Sequence, residues 1–189
     1  MTWRNTTERY GSLTISMHWL MLLLIAAVYA LIELRGIFPK DTPEHDAMKQ
    51  WHFMLGMLVF WLAWLRLVLH LASVKPRIQP PPPAWQEWLA GAVKVLMYVL
   101  MLGLPLAGWL TLNASGKPVP FFGLELPALI GENKNLSKQI KEMHETVATL
   151  GYWVIGLHAA AALFHHYWMR DDTLLRMLPE WYGKLLRKM

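Results

Sequence analysis

Four long apolar segments constrain this chain more than any other feature of its sequence. They cover residues 13–32, 52–71, 88–112 and 143–169. Their charged side chains are only Arg66, Lys94 and Glu145. Because a helix of about 20 apolar residues crosses the hydrocarbon core of a bilayer, each segment is long enough to span it. The sequence therefore predicts an all-α membrane protein built as a bundle of four transmembrane helices.

The composition supports this class and excludes several others. Hydrophobic residues make up 55% of the 189 residues and charged residues only 16%, which is too apolar for an ordinary soluble domain. The length fits one domain over residues 1–189. Cysteine is absent, which excludes disulfides, thiolate metal sites and covalent c-type haem attachment. The net charge of +5 is attributed to topology and contact with membrane lipid, since no nucleic-acid motif is present.

The connections and the tail are predicted to lie outside the hydrocarbon core. Residues 80–83 are a proline run that predicts a stiff connector between the second and third spans. Residues 113–142 carry several lysines and predict a lid or a surface helix. Residues 170–189 combine leucines with basic side chains, which predicts an amphipathic C-terminal tail on the membrane surface.

Basic residues indicate the orientation of the four spans. An even number of spans places both termini on one side, and that side carries slightly more lysine and arginine than the other. Arg4 and Arg9 precede the first span, so the positive-inside rule predicts that both termini are cytoplasmic. The first span also resembles a cleavable signal peptide. Its uncharged run exceeds the ~15 residues of such a core, so a retained helix is expected.

Four histidines fall at two depths of the predicted bundle. His144 and His158 lie fourteen residues apart on one face of the fourth span, about 21 Å along a helix axis. Since neighbouring spans alternate in direction, His52 comes to the depth of His144 near the outer surface. His18 comes to the depth of His158 in the inner half. The sequence thus predicts two pairs, His18 with His158 and His52 with His144.

Paired neutral imidazoles inside a membrane point to two b-type haems. Imidazole ligates haem iron from both sides without adding charge, and ionisable groups within spans are usually functional. Two other interpretations stay open, a hydrogen-bonded polar group between helices and a proton or metal relay. His165 shares nearly the same helix face as His158, so spacing alone also admits it as a ligand. His165, His166 and His70 are otherwise expected near the interface, and His45 in a solvated outer loop.

Several short motifs identify a family resemblance that spans almost the whole chain. They are ISMHWL at 15–20, ELRGIFP at 33–39, HET at 144–146, GY at 151–152, IGLHAAAALFHHY at 155–167 and DTLLRM at 172–177. With these motifs the chain resembles the bacterial cytochrome b561 family. The resemblance implies a four-helix bundle with two haem b groups, whose iron is ligated at His18, His52, His144 and His158. It therefore favours His158 over His165.

The resemblance also implies electron transfer at the bacterial inner membrane. Some members oxidise superoxide at the periplasmic side and reduce ubiquinone in the bilayer, and this reaction is the leading expectation for the chain. One alternative is an electron-transfer subunit supplied by a partner dehydrogenase or a soluble carrier. A less favoured alternative is a histidine-based proton or metal transporter. The sequence identifies no catalytic residue and no quinone site.

A basic rim near the outer surface would attract an anionic radical such as superoxide. The candidates are Lys49, Lys117, Lys134, Lys138 and Lys141. Acidic residues are interleaved with these lysines, so an ordinary solvated face is the competing interpretation. Gly151 lies seven residues from both His144 and His158 on the same helix face. Its missing side chain admits either another helix or the edge of a macrocycle.

Overall fold

The computed structural model describes residues 2–179, and four long helices dominate this part of the chain. They are α1 (Ser12–Leu34), α2 (Pro43–Ala72), α3 (Ala84–Ala114) and α4 (Lys134–Phe164). All four are long and apolar enough to cross a membrane. The predicted fold class, an all-α membrane protein with four spans, is confirmed. The proline run between α2 and α3 is not helical, as expected.

Two helices extend well beyond the apolar segments that predicted them. α2 begins at Pro43 rather than at residue 52, and α4 begins at Lys134 rather than at residue 143. The nine added residues of α4 make about two and a half turns and are largely polar. Ion pairs one helical turn apart join Lys138 to Glu142 and Lys141 to Glu145, the last residue lying just inside the apolar segment. The predicted surface helix is therefore the first part of α4.

The surfaces of the four helices fit a lipid environment. Leu23 on α1 is 67% exposed and Trp153 on α4 is 71% exposed, although both lie inside apolar spans. Within an apolar 18-residue stretch of each candidate span, only 6% to 22% is buried inside the structure. A soluble protein rarely exposes apolar area on this scale. Since all four spans expose their apolar side chains, the solvent that they face is hydrocarbon.

A β-hairpin, which the sequence analysis did not predict, connects α3 to α4. Strands β1 (Val119–Phe121) and β2 (Leu124–Leu126) pair antiparallel, with Val119 opposite Leu126. The turn residues Phe122 and Gly123 have φ angles of 47° and 86°. Positive φ at both central residues is the signature of a type I′ turn, which matches the twist of two-residue hairpins.

The chain divides into two compact units, each of which is described separately. The central unit comprises Met21–Trp64 and Tyr98–Gly151. Its buried core is formed by Met57, Trp109 and Val119, so the hairpin packs on α2 and α3. The indole of Trp109 donates a hydrogen bond of 3.1 Å to the carbonyl of Pro127. This bond fixes the chain that follows the hairpin.

The terminal unit comprises the described residues within Met1–Leu20, Leu65–Met97 and Tyr152–Met189. The proline connector is bound to the tail, because Gln79 N–H donates to Asp172 Oδ1 at 2.9 Å. Residues 170–179 form a bend and a short 3-10 turn, Leu175–Met177, in which Arg176 and Leu178 are buried. The tail was predicted as a surface helix, and these residues do not form one. The rest of that prediction, residues 180–189, lies outside the described residues.

Candidate functional site

Each unit contains one of the two predicted histidine pairs. In the terminal unit, the ring centroids of His18 on α1 and His158 on α4 lie 6.2 Å apart. In the central unit, those of His52 on α2 and His144 on α4 lie 6.5 Å apart. His158 is exposed, whereas the other three are partly buried. The structure thus brings together the residues that the sequence paired.

The spacing within each pair fits one metal ion between two imidazoles. A metal–imidazole bond is about 2 Å long and the ring centroid lies about 1.2 Å behind the bonding nitrogen, so facing rings that share a metal are about 6.4 Å apart. The observed 6.2 Å and 6.5 Å bracket this value. The ring planes are inclined by 61° and 74°, and direct edge-to-face contacts of aromatic rings also lie in the range of about 4.5–7 Å. The separation of both pairs is therefore compatible with one metal ion shared by two imidazoles and with direct edge-to-face contact.

The tautomer of His52 also suits metal binding. Its Nδ1 lies 2.9 Å from the backbone carbonyl of Val28, and a carbonyl oxygen can only accept a hydrogen bond. The proton of the neutral ring is therefore on Nδ1, and Nε2 keeps its lone pair for a metal. A second hydrogen bond of this kind orients most histidine ligands in metalloproteins.

His18 has a different neighbour, which affects how it could bind a metal. Its Nδ1 lies 3.1 Å from Nη2 of Arg66 on α2. A guanidinium has only donors, so Nδ1 is the acceptor in this contact. Ligation through Nε2 needs the proton of the neutral ring on Nδ1, which would end the hydrogen bond. A haem at this site therefore requires Arg66 to donate elsewhere.

Two glycines of the central unit face side chains from other helices. A Cβ built on Gly108 of α3 would lie 3.6 Å from Cε1 of His144, which is ordinary contact. A Cβ on Gly151 of α4 would lie 2.5 Å from the hydroxyl oxygen of Tyr29, which is too close. That hydroxyl donates a 2.8 Å hydrogen bond to the carbonyl of Ala148. Gly151 therefore admits the Tyr29 side chain of α1, which agrees with its interpretation as a site of close helix packing.

Of the remaining histidines, His165 has a specific partner that the sequence analysis missed. Its Nδ1 lies 2.5 Å from Oδ2 of Asp171, a side chain that is only 4% exposed. Burial by itself raises the pKa of Asp171, but hydrogen bonds from His165 and Thr173 outweigh it and leave this pKa below its usual value. The sequence did contain a signal for this contact, because His165 and Asp171 lie only six residues apart at the end of the fourth span.

His45 corrects one expectation. It was expected in a solvated loop, but α2 begins at Pro43, so His45 lies in the first turn of this helix and is 8% exposed. Its Nδ1 is 3.5 Å from the carboxylate of Asp46. His70 lies in the last turn of the same helix.

The lysines of the predicted basic rim are partly neutralised. Lys49 lies 3.1 Å from Asp46, Lys138 lies 3.9 Å from Glu142, and Lys141 lies 3.5 Å from Glu145. Exposed pairs of this kind contribute little stability, but each carboxylate offsets the field of its lysine at a distance. Lys117 and Lys134 are also exposed. The rim is thus mixed in charge rather than uniformly basic.

Comparison with known proteins gives consistent matches along most of the chain. Residues 9–180 match the sequence profile of the family described as prokaryotic cytochrome b561. Cytochrome b561 homolog 1 of Escherichia coli (strain K12) is 41% identical over 172 residues, which are 91% of this chain and 98% of that protein. Probable superoxide oxidase CybB of Yersinia pestis is 38% identical over 176 residues, 93% of this chain and 99% of that protein. Cytochrome b561 homolog 2 of Escherichia coli (strain K12) is 27% identical over 183 residues, 94% and 95% of the two chains.

Proposed function

The chain belongs to the prokaryotic cytochrome b561 family, and from this premise we propose that it is a di-haem cytochrome. As a family member it is a multi-pass protein of the bacterial inner membrane that transfers electrons with haem b. The proposal adds the ligands. His18 and His158 would hold one haem, and His52 and His144 the other. The observation that carries it is the matching ring separation of the two pairs, 6.2 Å and 6.5 Å.

Haem b, when bound between two histidines, supplies a one-electron centre with no open coordination position. The residues of the chain would position and insulate this centre. The Val28 carbonyl fixes the ring of His52 through its 2.9 Å hydrogen bond. Gly108 packs beside the ring of His144, where an added Cβ would make ordinary contact at 3.6 Å. With imidazoles of these histidines on both sides of the iron, outer-sphere electron transfer would be favoured over binding of a substrate at iron.

For the substrates, we infer superoxide as donor and ubiquinone as acceptor. The support is the 38% identity with a protein named probable superoxide oxidase. In the balanced reaction, two superoxide anions each lose one electron and become dioxygen. One quinone accepts both electrons together with two protons and becomes quinol. Exposed Lys117 and Lys134, which belong to the same unit as the His52–His144 pair, would attract the anionic donor at the periplasmic side.

The proposed topology follows from the same assignment. With both termini cytoplasmic, the central unit faces the periplasm at the hairpin and α4 begins there. Residues 1–189 would then act as one cytochrome b561-type domain. The rival assignment keeps the haems but replaces superoxide by a partner dehydrogenase or soluble carrier.

The haem assignment is tested by an optical spectrum and by single histidine variants. The purified protein should contain two low-spin haem b groups per chain. His52→Ala or His144→Ala should remove one of them, and His18→Ala or His158→Ala the other. His70→Ala is the matched control, since it removes an imidazole from α2 outside the pairs. Protein without a Soret band would leave a histidine-based proton or metal transporter as the better assignment.

The substrate assignment is tested by pulse radiolysis of the purified protein in lipid nanodiscs. A superoxide pulse should reduce the haems within milliseconds, and added ubiquinone should then be converted to quinol. The rate should fall as ionic strength rises, and also when Lys117 and Lys134 are both replaced by glutamine. Haems that are intact but do not respond to superoxide would favour the partner-dependent alternative.

A further inference from the structure

A buried guanidinium lies in the tail of the terminal unit. The side chain of Arg176 is only 7% exposed. Its Nε and Nη1 atoms are buried and have no hydrogen-bond partner within residues 2–179. Nε forms an ion pair with the carboxylate of Asp172 at 3.3 Å, but the contact is not a hydrogen bond. The guanidinium carbon lies 5.6 Å from the ring centroid of Tyr10. A buried cation with unused donors is costly unless an acceptor satisfies them.

The tail segment that carries this arginine is attached beside His18. The indole nitrogen of Trp19 donates a 2.8 Å hydrogen bond to the carbonyl of Met177, the residue after Arg176. The indole ring of Trp19 lies 5.4 Å from the ring of His18, centroid to centroid. The tail is therefore fixed next to the first helix at the level of the proposed ligand. Arg176 and the His18–His158 pair belong to the same compact unit.

A second guanidinium already contacts the same pair. Arg66 donates to Nδ1 of His18 at 3.1 Å, and this bond is incompatible with neutral His18 bound to iron through Nε2. When the haem is bound, the N–H group that now contacts His18 needs a different acceptor close by. The partner must offer an acceptor atom, and an anion is the strongest acceptor for a guanidinium.

Haem b brings two such anions, the carboxylates of its propionate groups. We propose that Arg66 and Arg176 bind the propionates of the haem held by His18 and His158, and that their charges raise its reduction potential. This inference rests on the proposed haem function. Both arginines are positioning residues, since they act on the edge of the cofactor rather than on iron. Asp172 opposes the effect, because its negative charge lies next to Arg176.

The experiment is a redox titration of the full-length haem-loaded protein and its Arg66→Gln and Arg176→Gln variants. Each substitution should lower the reduction equilibrium constant of the His18–His158 haem about tenfold, which is about 59 mV for one electron. The potential of the other haem should not move. Arg176→Lys should recover most of the shift, because it restores the charge. Arg77→Gln is the control, since this arginine is exposed in the same unit.

A second measurement assigns any shift to the propionates. Apoprotein is loaded with haem whose propionates are methyl esters, and the titrations are repeated. The shifts caused by both glutamine variants should shrink with the ester, because it has no carboxylate charge. Equal shifts with free and esterified haem, or no shift from either variant, would overturn the inference. Haem content, measured by the pyridine haemochromogen spectrum, distinguishes failure of this inference from failure of the proposed function. Fewer than two haems per wild-type chain would refute the proposed function itself.

Discussion

The contact between Gly151 and Tyr29 makes the sharpest prediction about how the helices pack. In Gly151→Ala, the new Cβ would stand 2.5 Å from the Tyr29 hydroxyl, so the ring must retreat by about 1 Å to reach ordinary contact. Its 2.8 Å hydrogen bond to Ala148 would then be lost. We expect overpacking to cost about 1–3 kcal/mol and the hydrogen bond about 0.6 kcal/mol in a membrane protein.

An alanine in a helix also gains about 1 kcal/mol over glycine, so the net loss in free energy of unfolding should be about 0.6–2.6 kcal/mol. Tyr29→Phe supplies the matched background. Without the hydroxyl, the nearest ring atom, Cζ, is 3.8 Å from the new Cβ, and the clash is gone. In that background Gly151→Ala should be neutral or stabilising by up to about 1 kcal/mol.

The assay is a double-mutant cycle of denaturation in detergent, followed by circular dichroism. It should give a coupling energy of about 2 kcal/mol between residues 29 and 151. If Gly151→Ala changed stability equally with tyrosine and with phenylalanine at position 29, the packing described for α1 and α4 would be wrong.

Two further predictions concern the ends of helices. Gly116 follows α3 with a φ of 75°, so Gly116→Ala should cost about 1–2 kcal/mol of unfolding free energy, and Gly116→Asn clearly less, both read from thermal unfolding. Asp171 has a lowered pKa, so its ionised form stabilises the folded tail above the usual carboxyl pKa, and this stability is lost as pH falls through the lowered value. The protease resistance of the wild-type tail should therefore fall as the pH is lowered from 6 to 3. In Asp171→Asn the resistance should be lower and constant over this range. A wild-type tail that is equally resistant at pH 6 and pH 3 would contradict the contact between Asp171 and His165.

The four helices and the histidine pairing could be predicted because membrane burial leaves a strong pattern. Apolar length fixes the number of spans, and alternating direction fixes which positions share a depth. The pairing of His52 with His144 could therefore be predicted from span direction alone, with no contact between helices known. Spacing on the fourth span alone left His165 open. The structure places His158, and not His165, against His18, while Nδ1 of His165 contacts Asp171.

The polar ends of the helices were not predictable in the same way. Hydropathy locates only the part of a helix that lies in the hydrocarbon core. The helix can continue into water as long as its backbone N–H and C=O groups are hydrogen-bonded. His45 was placed in a loop for this reason, although it is buried in the first turn of α2. The hairpin was missed because its turn uses Phe122 at a φ of 47°, a conformation that sequence patterns assign to glycine or asparagine.

The tail shows the same limit. Leucines and basic residues predicted a surface helix, but residues 170–179 are held instead by hydrogen bonds from Gln79 to Asp172 and from Trp19 to the carbonyl of Met177. These bonds depend on partners distant in sequence, such as Gln79. No local periodicity encodes them.

The central claim is that each histidine pair holds one haem b, and the haem stoichiometry tests it most directly. Full-length protein expressed with sufficient haem is purified, and its haem and polypeptide contents are both measured. Low-temperature electron paramagnetic resonance then gives the spin state of the oxidised iron. Two low-spin haem b groups per chain, falling to one in both His144→Ala and His158→Ala, is the predicted result. A single haem per chain, or a high-spin signal from intact wild-type protein, would contradict the claim.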